Sequence, residues 1–307
     1  MNLPAWLDAE LPRYLFDHYR LYPSQPAQPP RWQTYWHTRL QQLIADPHVR
    51  LFHHDNALLA LRISPWDSEH FGFPLAQLHV LLTTATPDLP DLLAEVLAHA
   101  RAANVRVLTT RVNGDQLAVL HALEDHGFRY YDDAIWPVVA VENLQVQVDP
   151  RVRMARTADR PRLLELAQKW TYPRGHFYCD PRFDRDAVDR LYAKWLQTAL
   201  DQQTPIAVIE SAGVVQGFFQ FSVEPLQQTP LGHRYAHLRL LALDGSARGQ
   251  GLGAALFAST LALCQQFGAQ FIDSGYSSKN HVSARLHTRH GFLSMHEEVT
   301  LHAWLDV

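Results

Sequence analysis

Six residues, Arg248-Gly249-Gln250-Gly251-Leu252-Gly253, stand between an apolar run, Ala236–Leu243, and an amphipathic stretch, Leu252–Phe267. A strand that passes into a helix through alternating glycines leaves few ways for the surrounding chain to fold. With no Cβ in the way, backbone N–H groups there approach a phosphate closely, and the N-terminal end of the helix adds its positive field. Arg248 supplies a matching cation. The run therefore reads as a cradle for a pyrophosphate.

The order of the downstream elements narrows the chemistry. Phe271-Ile272-Asp273 forms a short β-run, and after it come Asn280, a helical stretch over Ser283–Arg289, and a stop at Gly291-Phe292. Strand, phosphate turn, helix, strand, asparagine, helix and Gly-Phe in this succession resemble the acyl-CoA site of the GNAT superfamily of N-acetyltransferases. The hallmarks of that family are Arg/Gln-x-x-Gly-x-Gly/Ala, then Asn-x-x-Ala, then a Gly-Phe step. Arg248, Gly251 and Gly253 complete the first of these; the second is partial, with Ser283 in place of alanine and His287 in place of the usual tyrosine.

The resemblance implies an α/β fold with a mixed sheet, and acetyl-CoA as co-substrate with no metal. It implies direct attack of a primary amine on the thioester, and no Ser or Cys nucleophile with a positioned base is legible. By position, Arg248 and the amides of Gly249, Gln250, Gly251, Leu252 and Gly253 hold the pyrophosphate. Leu241, Ala242 and Leu243, where the family's strand splays from its neighbour, hold the pantetheine arm and polarise the carbonyl. Asn280 and Ser283 approach from the far side. His287 is the candidate acid for the departing thiolate, since an imidazole with an ordinary pKa of about 6.5 suits that transfer; the other reading has it packed beside the cofactor, with water supplying the proton. His237 is the candidate base, because strict alternation places His237, Arg239, Leu241 and Leu243 on one face. A solvated histidine at a strand edge is the alternative.

Two other functions fit the same loop. Gly249-x-Gly251-x-x-Ala254 with Asp273 about twenty residues on matches the dinucleotide fingerprint of an NAD-type oxidoreductase. The missing tyrosine also suits a catalytically silent acyl-CoA sensor.

The 307 residues suffice for two modules with their own cores, and a formal net charge of −4 without a basic stripe argues against a nucleic-acid partner. Two distant cysteines, Cys179 and Cys264, support neither a disulfide framework nor a zinc site. Eighteen histidines include His287 and His290 at i,i+3, without convincing metal-ligand spacing. The opening Met1-Asn2-Leu3-Pro4 lacks a basic n-region and an apolar h-region, and no apolar run reaches bilayer length, so a cytoplasmic protein with no membrane partner is expected.

Periodicity predicts a helix around Tyr35–Ile44, strands Ala57–Ile63 and Ala76–Leu82, a helix Leu92–Ala103, a strand Val105–Arg111 and a helix Gln116–His126 ending at Gly127-Phe128. This order repeats the C-terminal half and suggests an internal duplication. The connection Thr83–Pro90 contains no glycine and two prolines, so the first half offers no amide nest. A tandem results, with a degenerate domain at 1–145 and an acyl-CoA-binding domain at 146–307. In the latter, Thr157 is the expected N-cap of a helix Arg160–Trp170. Gly175–Pro181 reads as irregular, Asp184–Leu200 as helix, and Pro205–Glu210 with Val214–Val223 as a hairpin. Trp66–Gly72, Arg174–Tyr178 and Tyr192–Trp195 resemble, within the family, loops of the amino-sugar-nucleotide N-acetyltransferases that act on dTDP-fucosamine. That makes an amino-sugar nucleotide the favoured acceptor; Trp66 and Phe71 as plugs between the halves is the competing reading.

Overall fold

A computed structural model describes residues 38, 40–54, 57–83, 88–168, 174–225 and 232–305. The expected helix Tyr35–Ile44 and the Thr83–Pro90 connection fall partly outside them. The chain forms two compact units. One holds the described residues up to Ala134 together with those from His296 on, and the other is Ile135–Met295.

The first unit contains β1 (Val49–His54), β2 (Ala57–Ile63), α1 (Pro65–Phe71), β3 (Leu75–Thr83), α2 (Leu89–Ala102), β4 (Val107–Asn113) and α3 (Leu117–Asp125). β1, β2 and β3 are antiparallel, and α2 then carries the chain over to β4, which lies parallel to β3. Leu89, Leu92, Leu93, Val96, Leu97 and Ala100 recur at helical spacing and bury one face of α2 in a core with Leu59, Leu78 and Leu108.

The second unit repeats the plan. After β5 (Arg129–Ala140) come β6 (Val152–Met154), α4 (Arg160–Gln168), a short α5 (His176–Cys179), α6 (Arg185–Asp201), β7 (Ile206–Ser211), β8 (Val214–Val223) and β9 (Tyr235–Leu243). α7 (Leu252–Gln266), β10 (Phe271–Asp273), β11 (Tyr276–Ser277), α8 (His281–Arg289) and β12 (Leu293–Trp304) complete the chain. β7, β8 and β9 are antiparallel and β10 is parallel to β9. α7 covers one sheet face over Ala236, Leu238 and Ile272; α4 and α6 cover the other over Val208, Phe218 and Ala242.

In both units the Gly-Phe step is the same helix C-cap. Gly127 and Gly291 are left-handed, with φ of 87° and 74°, and the amides of Phe128 and Phe292 bond back to Leu123 and His287 carbonyls. The duplication read from the sequence thus has a structural counterpart. The division does not fall at 145. Ile135–Ala140 of β5 belong to the second unit, where Val138–Ala140 pair with β10; from His296 on, β12 belongs to the first, where it pairs with β4. Each unit is completed by strand residues distant in sequence, which linear composition does not signal.

Local corrections are small. Thr157 lies in a 3-10 turn, Thr157–Asp159, that leads into α4, and the Asp159 carboxylate closes this turn by accepting from the Arg156 amide at 2.7 Å. Part of the segment expected to be irregular is α5. Trp66–Phe71 is helical, not a loop: Ser64 caps α1 and donates to Asp67 at 2.6 Å.

Candidate functional site

The glycine turn is anchored before it begins. Asp244 accepts from the Ser246 amide at 2.9 Å and hydroxyl at 2.6 Å, and from Arg162 of α4 at 2.6 Å. These bonds, Ser246 foremost, hold its carboxyl far below the usual range. Beyond this turn the backbone enters the left-handed region at Gly249 (φ 79°) and again at Gly251 (φ 76°), the N-cap of α7. The amides of Gly249, Gln250 and Gly251 find no acceptor among the described residues. Gln250 turns its side chain back onto the Ser246 carbonyl at 2.9 Å, and Arg248 is exposed with no ion-pair partner among the described residues. Donors at a helix N-terminus beside a free cation form an anion site.

Gly253 serves a different purpose from the other two glycines. A Cβ there would lie 2.7 Å from Leu243 Cδ1, and one on Gly217 of β8 would lie 2.6 Å from Leu243 Cδ2 and 2.7 Å from the Ala242 carbonyl oxygen. Leu243 is wedged between the two glycines, so the third glycine sets how closely α7 seats on β9. Leu252 is buried in the core under α7.

β9 and β10 pair only over Tyr235–His237 and Phe271–Asp273. After this last rung β10 turns toward β5, where the Ser274 amide bonds the Pro137 carbonyl, while β9 runs on for six residues to Leu243. Leu241, Ala242 and Leu243 therefore lie on the part of β9 that has left β10. On its other side β9 carries a bulge: Phe221 pairs with Leu238 and Phe219 with Leu241, so Arg239 and Leu240 stand opposite Gln220 alone. The bulge breaks the expected alternation. Leu241 and Leu243 share the α7 face with Ala236 and Leu238, whereas Leu240 and Ala242 pack on the face of α4 and α6. The single face expected for His237, Arg239, Leu241 and Leu243 does not exist.

His237 is neither solvated nor free. It is 8% exposed, donates from Nδ1 to Asp273 at 2.7 Å, and reaches Glu224 from Nε2 at 3.2 Å. Burial pulls its pKa down, but the charges and hydrogen bonds of Asp273 and Glu224 outweigh that and raise it to about 9. At neutral pH both ring nitrogens thus carry protons, and no lone pair is available to a substrate. Asp273, at 4% exposure, is committed to this imidazolium and not open to a ribose.

His287 is 3% exposed, edge-on to Phe257 and Phe292 and tilted against Tyr276. Its Nδ1 lies 2.8 Å from the Ser283 carbonyl, which can only accept, so the ring proton is on Nδ1 and points into the helix. Burial lowers its pKa to about 4, and Nε2 is buried without a partner among the described residues. A neutral ring with its one proton given to a carbonyl has none for a thiolate. In this geometry the ring packs against Phe257, Phe292 and Tyr276 and aims no proton out of the helix, which favours the packing reading over the acid role. Asn280 is exposed and caps α8, accepting from the Ser283 amide at 3.1 Å.

The aromatic segments that suggested an amino-sugar acceptor are partly packed in the protein: Phe177, Tyr178 and Tyr192 are buried, whereas Trp66, Phe71 and Trp195 are half-buried. Tyr178 and Tyr192 stack at 5.7 Å and are 2% and 6% exposed, and Tyr178 donates to Asp189. Trp66 stacks on His70 at 5.7 Å. Sequence reasoning missed Glu224, Asp244, Arg162 and Gly217. Only the Arg162–Asp244 pair left a trace, as charges at the head of α4 and the end of β9.

Among the described residues no helix is long and apolar enough to cross a membrane, and no group of three His, Cys, Asp or Glu is arranged to hold a metal ion. The sequence model of the acetyltransferase (GNAT) family matches residues 162–292. Among curated proteins no sequence matches the chain. Among solved structures, a GCN5-related N-acetyltransferase from Sphaerobacter thermophilus is similar at a TM-score of 0.59 and 12% identity, covering 100% of this chain and 99% of that one. A tandem GNAT protein from the clavulanic acid biosynthesis pathway gives 0.56 and 14%, covering 97% and 95%. A GCN5-related N-acetyltransferase from Kribbella flavida gives 0.54 and 15%, covering 86% and 92%. At such identities these are likenesses of fold. The antiparallel β7-β8-β9 arrangement and the engaged Asp273 disfavour the dinucleotide alternative. Residues 162–292 thus match the acetyltransferase (GNAT) family model, within a mixed α/β fold like that of the tandem GNAT protein.

Proposed function

We propose that the second unit transfers an acyl group, acetyl in the first instance, from coenzyme A to a primary amine. The observation that carries this reading is the joining of two features on β9: a glycine turn with unpartnered amides at the head of α7, and a strand that parts from β10 at His237. The first suits a diphosphate. The second leaves an extended edge over Leu241–Leu243 for an amide-bearing arm and a thioester carbonyl. Arg248 and the amides of Gly249–Gly253 grip the pyrophosphate, with Asn280 and Ser283 across from β9. The amine attacks the carbonyl directly, the C–N bond forms, the C–S bond breaks, and the thiolate takes its proton from water.

His237 stands at the point where the strands part, beside the place assigned to the amine. It accepts the amine's proton only after losing its own. Turnover at saturating substrates should therefore rise with pH through about 9, its raised pKa, and His237→Gln should abolish that limb in a pH–rate profile. An amino-sugar nucleotide is the acceptor the sequence resemblance favours, and the reducing cytoplasm, where acetyl-CoA is made, suits the chemistry.

The test is direct. Acetyl-CoA at about 100 times its Kd should stabilise the protein by about 2.7 kcal/mol, read as a raised unfolding midpoint, whereas NAD should leave it unmoved. Free thiol should then accumulate only when an amine is added. Stabilisation by acetyl-CoA without amine-dependent thiol release would leave a sensor in place of an enzyme.

A further inference from the structure

β9 reads Tyr-Ala-His-Leu-Arg-Leu-Leu-Ala-Leu, and every residue in it but one is buried or half-buried. The exception is Arg239. A charged side chain amid so apolar a strand is unfavourable unless the backbone takes it out of the ladder, and the bulge at Arg239–Leu240 does so. Arg239 has no carboxylate partner among the described residues, as Arg248 at the glycine turn has none, whereas Arg151, Arg153, Arg160 and Arg162 do. Arg239 lies two residues beyond the last β9–β10 rung, near enough to His237 for its charge to act on that imidazole.

The charges at this fork are therefore paired in kind. Glu224, His237 and Asp273 together carry two carboxylates against one imidazolium, and a second Glu224 oxygen, Oε2, is buried with no partner among the described residues. Two residues, about 7 Å of strand, further along is the backbone of Arg239, whose exposed guanidinium is unpaired among the described residues. An excess negative charge beside an excess positive one suits a ligand bearing the opposite pair, an ammonium and an anion.

Resting on the transferase reading above, we propose that the acceptor is an amine that also carries an anionic group, carboxylate or phosphate, and that Arg239 holds this anion while the amine faces the Glu224–His237–Asp273 cluster. A planar guanidinium binds either oxyanion through two parallel N–H bonds, so one residue serves both sources. Arg239 is then the residue that sets acceptor specificity.

Matched acceptors test this with the full chain and acetyl-CoA: glucosamine 6-phosphate against glucosamine, and an α-amino acid against its amide. The wild type should favour the anionic member of at least one pair by roughly 10–100-fold in kcat/KM, and which pair responds tells phosphate from carboxylate. Arg239→Gln should collapse that ratio through KM of the anionic acceptor, with KM for acetyl-CoA within about twofold, and Arg239→Lys should restore part of it. Equal use of both members by the wild type, or an unchanged ratio in Arg239→Gln, would overturn the proposal. So would stabilisation by acetyl-CoA with transfer to no acceptor of either pair. Absence of any acetyl-CoA stabilisation would instead sink the transferase reading itself.

Discussion

Gly217→Ala is expected to cost about 2–3 kcal/mol of stability and to weaken acyl-CoA binding, although residue 217 lies outside the phosphate loop. The new methyl would meet Leu243 Cδ2 at 2.6 Å and the Ala242 carbonyl oxygen at 2.7 Å. The first contact is with the end of a side chain and yields by a rotation, but Leu243 is also against Gly253 at 2.7 Å from a Cβ position there, so it has little room to retreat. The second is backbone, and yields only if β8 and β9 separate at the Gly217–Leu243 pair. Either movement displaces the segment Leu241–Leu243 and the seat of α7 together. Thermal unfolding should show a midpoint lower by roughly 5–10 °C. Titration with coenzyme A should show a higher Kd. Gly213→Ala is the control, because φ there is 75° but the space is open. It should lower stability by about 1 kcal/mol and leave the Kd unmoved. Equal coenzyme A affinity in both variants would remove Leu243 from the binding site.

Stability should pass through a maximum near pH 6.5, for two opposite reasons held in two histidines. His287 has its pKa lowered by burial to about 4. Between pH 4 and 6.5 the unfolded chain protonates this ring and the folded one does not, so stability falls with falling pH, by about 3 kcal/mol over the window. His99 and His290, also held below the ordinary value by burial, act in the same direction. His237 is the reverse case, with a folded pKa raised to about 9. Its contribution is whole below pH 6.5 and is lost as pH climbs to 9, again about 3 kcal/mol. Asp149, lowered to about 2 by Arg151, loses its contribution only below about pH 4, outside both windows. Urea denaturation at intervals from pH 4 to 9 measures the dome. His287→Phe should flatten much of the acid limb while keeping turnover within about twofold, since the ring packs among Phe257, Phe292 and Tyr276. His237→Gln should flatten the alkaline limb. A large loss of turnover in His287→Phe would restore it as the acid.

The features legible in the amino-acid sequence were local. Positive φ at Gly249 and Gly251, the Gly-Phe caps after α3 and α8, and the apolar spacing of α2 and α6 each depend on a few consecutive residues. The extent of β9 was legible for the same reason. Its bulge was not, because a bulge is a relation between two strands and Gln220 is nineteen positions from Arg239. The charge states of the histidines were not legible for the same reason. His237 becomes a cation because Asp273 and Glu224 reach it from neighbouring strand ends, and His287 becomes a neutral core ring because Phe257 and Phe292 close on it.

Sequence alone determined that this chain builds two repeats of one strand–helix plan and that an alternating-glycine turn opens a helix of the second, since dihedral preference and periodicity act along the chain. Tertiary structure decided which strand residues complete which repeat, what face each β9 side chain takes, and which imidazole holds charge. Those outcomes arise from burial and cross-strand partners, and a partner's field depends on distance in space rather than on separation in sequence.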